Sequence, residues 1–416
     1  MNHNTDPTYI PNFLPGGVIS ALHPLPDHYI AYGKGGLCWD QYGNRYVDFI
    51  NGYGPLILGH SNDEVNQAVF EQMKCGTLFP SHSPLYDELL SVLRRHFPYI
   101  DRCLFLKTGS EAVSAAIRLA RTYTGKTKII RCGFHGWHDA LMTSHLSWHL
   151  YEPDPYPPRT PLGVIQNSPE PLVISWIGED LQQLADLFNA HRPDVAALLL
   201  DPVQLREPIE NHLAQIYRIV NREEALLILD EAKTGFRVSL SGAQGLYHIQ
   251  PDLTILSKGI SNCFPLATVI GRHEILDLSP ITKIMGTYNN ELVSIAAALK
   301  TISILEQQNS IPWLWQIGQL LIDGVNEILN RYGLIDIIKA VPYRWPCMPY
   351  IWFLSTSKKA QELKEEFYYK LCQRGILLLA NHMNFVCLAH TIKDIEDTLQ
   401  AIEDVLQDCF QQGDIS

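Results

Sequence analysis

Residues Ala225–Gly259 read ALLILDEAKTGFRVSLSGAQGLYHIQPDLTILSKG. Two short apolar runs, Ala225–Leu229 and Leu253–Leu256, have the composition of parallel strands buried on both faces. The first runs directly into Asp230 and Glu231, and the second stops just before Ser257 and Lys258. Open α/β sheets bind ligands just beyond the carboxyl ends of their strands. The pattern therefore predicts an acid and an amine at such a site.

Upstream, Val195–Leu200 (VAALLL) reads as a buried strand ending in Asp201-Pro202-Val203-Gln204, with a helix over about His212–Glu224. Earlier still come a strand at Cys103–Leu106, a turn at Thr108-Gly109-Ser110 and a helix over Glu111–Tyr123. The unpaired N–H groups of that helix's first turn, with its dipole, suit an anion. The same tripeptide also caps ordinary helices. Lys128–Arg131 is another strand, and Phe134-His135-Gly136-Trp137-His138-Asp139 follows it. These rings could stack on a planar ligand or simply pack a loop. Residues 141–166 show no secondary structure, and a loop of that length is usually functional or mobile. Downstream, Leu266–Gly271 is a strand, and Gly286–Asn290 is a loop opening a helix at Glu291. Strand and helix alternate, which predicts an α/β fold with a parallel, doubly wound sheet.

Residues 1–30 read as an irregular arm rich in Pro, Gly and Asn. Residues 31–50 form a predicted hairpin with its turn at Gln41–Asn44. Helices are predicted over Asp63–Lys74 and Tyr86–Phe97. A long helix near Trp313–Tyr332 opens a second domain with strands at Tyr350–Leu354 and Ile376–Leu379 and helices at Ala360–Arg374 and Ile392–Asp408. The expected division is residues 1–55 (arm and hairpin, part of a small domain), 56–305 (large ligand-binding domain) and 306–416 (C-terminal small domain).

The chain has 416 residues, 46% hydrophobic and 18% charged, which is ordinary for a globular protein. A net charge of −12 argues against a nucleic-acid binder, which needs a basic face. Nine cysteines are scattered without a CxxC pair or Cys/His spacing, so neither a metal site nor a disulfide framework is expected. There is no secretory signal and no apolar run long enough to span a membrane. A cytoplasmic protein with reduced thiols is the expectation.

An acid and a lysine at neighbouring strand ends suit pyridoxal 5'-phosphate, which needs a protonated ring nitrogen and an amine partner. The motifs TGSEAVSAAIRLAR, FHGWHD, DPV, DEAKTGFRVSLSGAQ, LSKG, GTYNNELVSIAA and FVCLAHTIKDIEDTL occur in that order. With them the chain resembles class III aminotransferases of pyridoxal-phosphate fold type I, glutamate-1-semialdehyde 2,1-aminomutases among them, over residues 12–410. That resemblance implies a mostly parallel seven-stranded sheet flanked by helices, with a smaller α+β domain. It implies that Lys258 is the Schiff-base lysine and that Asp230 holds the ring nitrogen protonated. Gly109 and Ser110 would form the phosphate cup, with Phe134 on one ring face and His135 continuing that motif. Ala232, usually valine, would lie on the other face. Thr287 would reach the phosphate of the other subunit in a homodimer. Glu231 reads as structural.

The departures fall at substrate-facing positions. His23 stands where the aminomutases carry an arginine, and His382 stands where they carry a glutamate. An imidazole does not reproduce a bidentate guanidinium. The loop SHLSWHLYEPDPYPP replaces small Ser and Gly residues. Lys233 could reach the ring's phenolate oxygen or an acidic substrate, or instead pair with a surface acid. Arg206 could contact the same oxygen or bind a carboxylate. His23, Tyr53, Trp137, Trp148, Arg206, Lys233 and His382 are thus the candidate substrate contacts. The expected activity is transfer of an amino group from an amino donor to an aldehyde or keto acceptor other than glutamate-1-semialdehyde, with pyridoxamine 5'-phosphate as the half-reaction form. An aminomutase or a racemase is the alternative enzyme, and a binding module that has lost catalysis is the alternative outside enzymes.

Overall fold

The computed structural model describes residues 29–138, 141, 172–176, 178, 180–205 and 209–410, with the backbone alone at 209–211 and 410. It divides into two compact units, one comprising Asp63–Pro312 and the other the chain up to Asn62 together with the chain from Trp313.

The smaller unit opens with β1 (Ile30–Lys34), β2 (Leu37–Asp40) and β3 (Arg45–Asp48), an antiparallel meander. Asp40 fixes the β2–β3 turn. Its carboxylate accepts from the amides of Tyr42 and Asn44 (both 2.9 Å), the Asn44 side chain (2.8 Å) and the Tyr46 hydroxyl (3.0 Å). An acid that closes its own turn in this way is the local reason the chain reverses here.

The larger unit holds β4 (Arg102–Leu106), β5 (Lys128–Cys132), β6 (Val173–Ser175), β7 (Val195–Leu200), β8 (Leu226–Asp230), β9 (Leu253–Leu256) and β10 (Ala267–Gly271). They form one seven-stranded sheet in the order β4-β10-β9-β8-β7-β5-β6. Every residue of β7, β8, β9 and β10 is buried, the signature of a sheet covered on both faces. β10 runs antiparallel to both of its neighbours, and the other pairings are parallel. The link 257–266 is too short to hold a crossover helix, so the chain folds straight back. Helix Gly109–Thr124 lies on this sheet with a buried face of Ala112, Val113, Ala115, Ala116, Ile117, Leu119 and Ala120. A Thr108–Glu111 capping box starts it, and Gly125, at φ 68, ends it.

The smaller unit resumes with the hairpin of β11 (Ile338–Tyr343) and β12 (Trp345–Phe353), then β13 (Ile376–Leu377), which pairs parallel with β3. His390 lies buried in this unit. Its ring stacks on Phe49 at 4.6 Å, and its Nδ1 accepts from the Cys387 amide at 3.0 Å. Burial pushes its pKa down from 6.5 to about 4. Between those values the unfolded chain binds a proton that the fold refuses, so stability is lost as pH falls from 6.5 towards 4. Urea unfolding along that interval should lose about 2–3 kcal/mol through this group. His390→Asn keeps an acceptor for Cys387 without titrating and should flatten the decline. An equally steep decline in the variant would refute this role.

Candidate cofactor site

β7, β8 and β9 are consecutive parallel strands, with Leu200 opposite Leu229 and Asp230 opposite Ile255. Their carboxyl ends therefore share one edge, at spacings of about 4.8 Å. Asp201 follows β7, Asp230 closes β8, and Lys258 lies just past β9. Asp230 is buried. One carboxylate oxygen accepts from the Ala232 amide at 3.1 Å, and the other lies 2.8 Å from His135 Nδ1. His135, also buried, donates from Nε2 to the Cys132 carbonyl at 3.0 Å. The Asp201 amide donates to that same carbonyl at 2.9 Å. One carbonyl at the end of β5 thus orients the imidazole that orients the acid.

Lys258 takes the left-handed conformation, φ 47, in a short turn that also holds Asn262 at φ 46 and Cys263 at φ 79. Such backbone strain is characteristic of functional sites. Burial, then repulsion from Lys233, lowers the pKa of its amine from 10.5 to about 8, against the attraction of Asp201 and Asp230. At pH 7 that makes the neutral amine roughly 300-fold more abundant than for an ordinary lysine. Lys233 is buried and pairs with the buried Asp201, Nζ to Oδ2 at 2.6 Å. The acid it meets is therefore an interior one at the end of β7.

Glu231, beside Asp230, is fully buried and accepts from the Thr234 hydroxyl, the Ala243 amide (2.9 Å) and the Gln244 amide (2.8 Å). It caps the short helix Gly242–Leu246 and so ties down the loop that leaves β8. Burial raises its pKa to about 7 against those hydrogen bonds.

At the start of helix Gly109–Thr124, the capping box occupies the Glu111 amide. The amides of Gly109 and Ser110 have no acceptor among the described residues. Gly136, at φ 96, brings the loop after β5 against this turn, and a Cβ there would lie 2.1 Å from Ser110 Oγ. Phe134 and Ala232 are half-buried, and Thr287 sits in an exposed turn. Trp137 is 69% exposed, with its ring 5.1 Å from that of His138. In the smaller unit Tyr53 and His382 meet edge to face at 5.9 Å. His23, Trp148 and Arg206 lie outside the described residues.

The structure brings Gly109, Ser110, His135, Asp230, Lys233 and Lys258 to one end of the larger unit's sheet and its flanking loops. Asp201 is a member that received no role from sequence, although it ends an apolar run just as Asp230 does.

A family model described as aminotransferase class-III matches residues 22–410. A 3-aminobutyryl-CoA aminotransferase of Cloacimonas acidaminovorans is 31% identical over 408 residues, covering 94% of each chain. A glutamate-1-semialdehyde 2,1-aminomutase of Archaeoglobus fulgidus is also 31% identical, over 414 residues, covering 95% of this chain and 97% of its own. An omega-transaminase from Sphaerobacter thermophilus superposes with a TM-score of 0.82 at 25% identity, covering 95% of each chain. This chain belongs to the class III aminotransferases, enzymes that use pyridoxal phosphate. The donor set fits that cofactor, with a buried acid for a ring nitrogen, a depressed lysine for a carbonyl and open amides at a helix N-terminus for a phosphate.

Gly136→Ala forces Ser110 or the loop to move and strains a left-handed backbone position, a cost of about 1–3 kcal/mol. Cofactor affinity, measured by fluorescence titration, should weaken about tenfold or more. Unchanged affinity would mean that this turn does not hold the phosphate.

Proposed function

We propose that this protein is a pyridoxal-phosphate-dependent aminotransferase whose acceptor is an aldehyde or ketone other than glutamate-1-semialdehyde. The observation that carries the reading is the placement of Lys258 and Asp230 at the ends of adjacent parallel strands, with Lys258 depressed to about 8. Pyridoxal phosphate, when bound, supplies a carbonyl that captures amines and a ring that accepts electrons from the carbon bearing the captured nitrogen. Lys258 is the chain's nucleophile. With a donor bound, its free amine would be the base that takes a proton from the donor carbon. Asp230, held by His135 and the Ala232 amide, keeps a proton on the ring nitrogen. The Gly109 and Ser110 amides hold the phosphate through hydrogen bonds and the helix dipole. Phe134 and Ala232 would flank the ring.

The substrate reading rests on His23 and His382. His382 carries no charge complementary to an amine where the resemblance places a glutamate, and its Nδ1 already lies 2.7 Å from the Met383 carbonyl. Tyr53 beside it offers an aromatic face, so this pair is aromatic and imidazole rather than acidic. The aminomutase relative, as similar as the aminotransferase relative, keeps intramolecular amino transfer as the second reading.

A homodimer is part of this proposal, with Thr287 reaching the partner's phosphate. Thr287 lies in an exposed turn with Met285 (82% exposed) and Tyr288 (68%), apolar surface of the kind interfaces bury. None of the nine cysteines is in a disulfide, which suits a reducing, cytoplasmic setting.

Single-turnover spectroscopy tests the reaction class. With an amino donor alone, the loaded enzyme should convert stoichiometrically to pyridoxamine phosphate and release one equivalent of keto product, and Lys258→Ala should slow this by about 10³-fold or more. Inverted or isomerised donor without keto product would establish a racemase or aminomutase instead.

A further inference from the structure

An ion pair beside the open amides of Gly109 and Ser110 has no part in the chemistry above. Lys107 Nζ donates to Glu291 Oε1 at 2.8 Å, and the two side chains are only 14% and 19% exposed. Fully exposed pairs contribute little because water screens them, and this one is largely out of water. At one end, the Lys107 amide donates to the Glu111 carboxylate at 3.1 Å, so Lys107 belongs to the capping box that starts helix Gly109–Thr124. At the other end, Glu291 caps helix Leu292–Gln307. Its carboxylate accepts from the amides of Val293 (2.7 Å) and Ser294 (3.0 Å) and from the Ser294 hydroxyl. The residues on either side of Glu291 are tied down as well. The Tyr86 hydroxyl donates to the Asn290 carbonyl at 2.7 Å, and the Leu292 amide to the Thr77 carbonyl at 2.8 Å. Helix Leu292–Gln307 packs against the turn Lys258–Ser261. The circuit closes at Ser257, whose Oγ would lie 3.8 Å from a Cβ built on Gly109. Contacts thus run in a ring within the larger unit, from the open amides through the ion pair and the helix to the turn that carries Lys258.

We propose that Lys107 and Glu291 are positioning residues whose ion pair holds the phosphate-binding turn at a fixed span from Lys258. The proposal rests on the cofactor reading of Gly109, Ser110 and Lys258. A turn that is ordered before its ligand arrives costs less to order on binding. Removing either partner frees the turn and leaves the other charge without its counterion in a partly buried place. The loss therefore falls on the phosphate end of the ligand.

The test uses the full-length enzyme stripped of cofactor and titrated, with fluorescence readout, against pyridoxal 5'-phosphate and against pyridoxal, which lacks the phosphate. Lys107→Met and Glu291→Gln should each weaken pyridoxal-phosphate binding about tenfold, and the double variant no more than either single one. Pyridoxal affinity should change less than about twofold, and Lys107→Arg should restore pyridoxal-phosphate binding to within about threefold of wild type. Lys107→Gln serves if Lys107→Met does not fold. Unchanged pyridoxal-phosphate affinity, additive losses, or equal losses for both ligands overturn the proposal. Tighter binding by Glu291→Gln also overturns it, because Lys107 would then act on the phosphate directly. A wild-type enzyme that binds pyridoxal phosphate no more tightly than pyridoxal would overturn the phosphate site itself, and the proposal with it.

Discussion

The register of three parallel strands is the constraint on which the site depends. β7, β8 and β9 are aligned by main-chain hydrogen bonds between fully buried residues. A one-residue slip would turn the apolar side chains of a strand to the opposite face. Because both faces are covered, no slip is tolerated, and the residues just past the strand ends are fixed relative to one another. Asp201, Asp230 and Lys258 inherit their backbone positions from that register, and hydrogen bonds of their own orient the two acids. The chain then returns antiparallel into β10, and Lys258, at the start of that link, takes a left-handed conformation.

Burial then determines the chemistry. The same removal of water that stabilises the sheet depresses Lys258 and raises Glu231. The two consecutive acids at the end of β8 are used differently. Asp230 is oriented by His135 and the Ala232 amide. Glu231 is consumed by backbone amides at 243 and 244 and so holds the loop. Gly242, at φ 65, is needed for that second role, because a Cβ there would lie 2.5 Å from a Glu231 oxygen.

Much of this was legible in sequence. Apolar runs ending in Asp230 and before Lys258 announced strands and a site, and the strands at Val195–Leu200 and Leu253–Leu256 lie where their composition puts them. The β2–β3 turn was legible because Asp40 and Asn44 act locally. Other features were not. β1 is an exposed edge strand containing Gly33, and β11 contains Pro342, so neither shows the expected pattern. The direction of β10 follows from a link length whose meaning depends on strand order. The partners of Lys233 and His135 are separated from them by 32 and 95 residues, and only the assembled sheet brings them together. Sequence leaves Lys233 open between a ligand contact and a surface ion pair, and its buried partner Asp201 emerges only once β7 is known to lie beside β8.

The central claim is that Lys258, and no other lysine, is the amine that takes the cofactor's carbonyl. Reduction of the pyridoxal-phosphate-loaded protein with borohydride, followed by peptide mapping, tests it directly. The account predicts a single stable phosphopyridoxyl adduct, on Lys258. An adduct on Lys233, or no lysine adduct in protein that retains the cofactor, would contradict it.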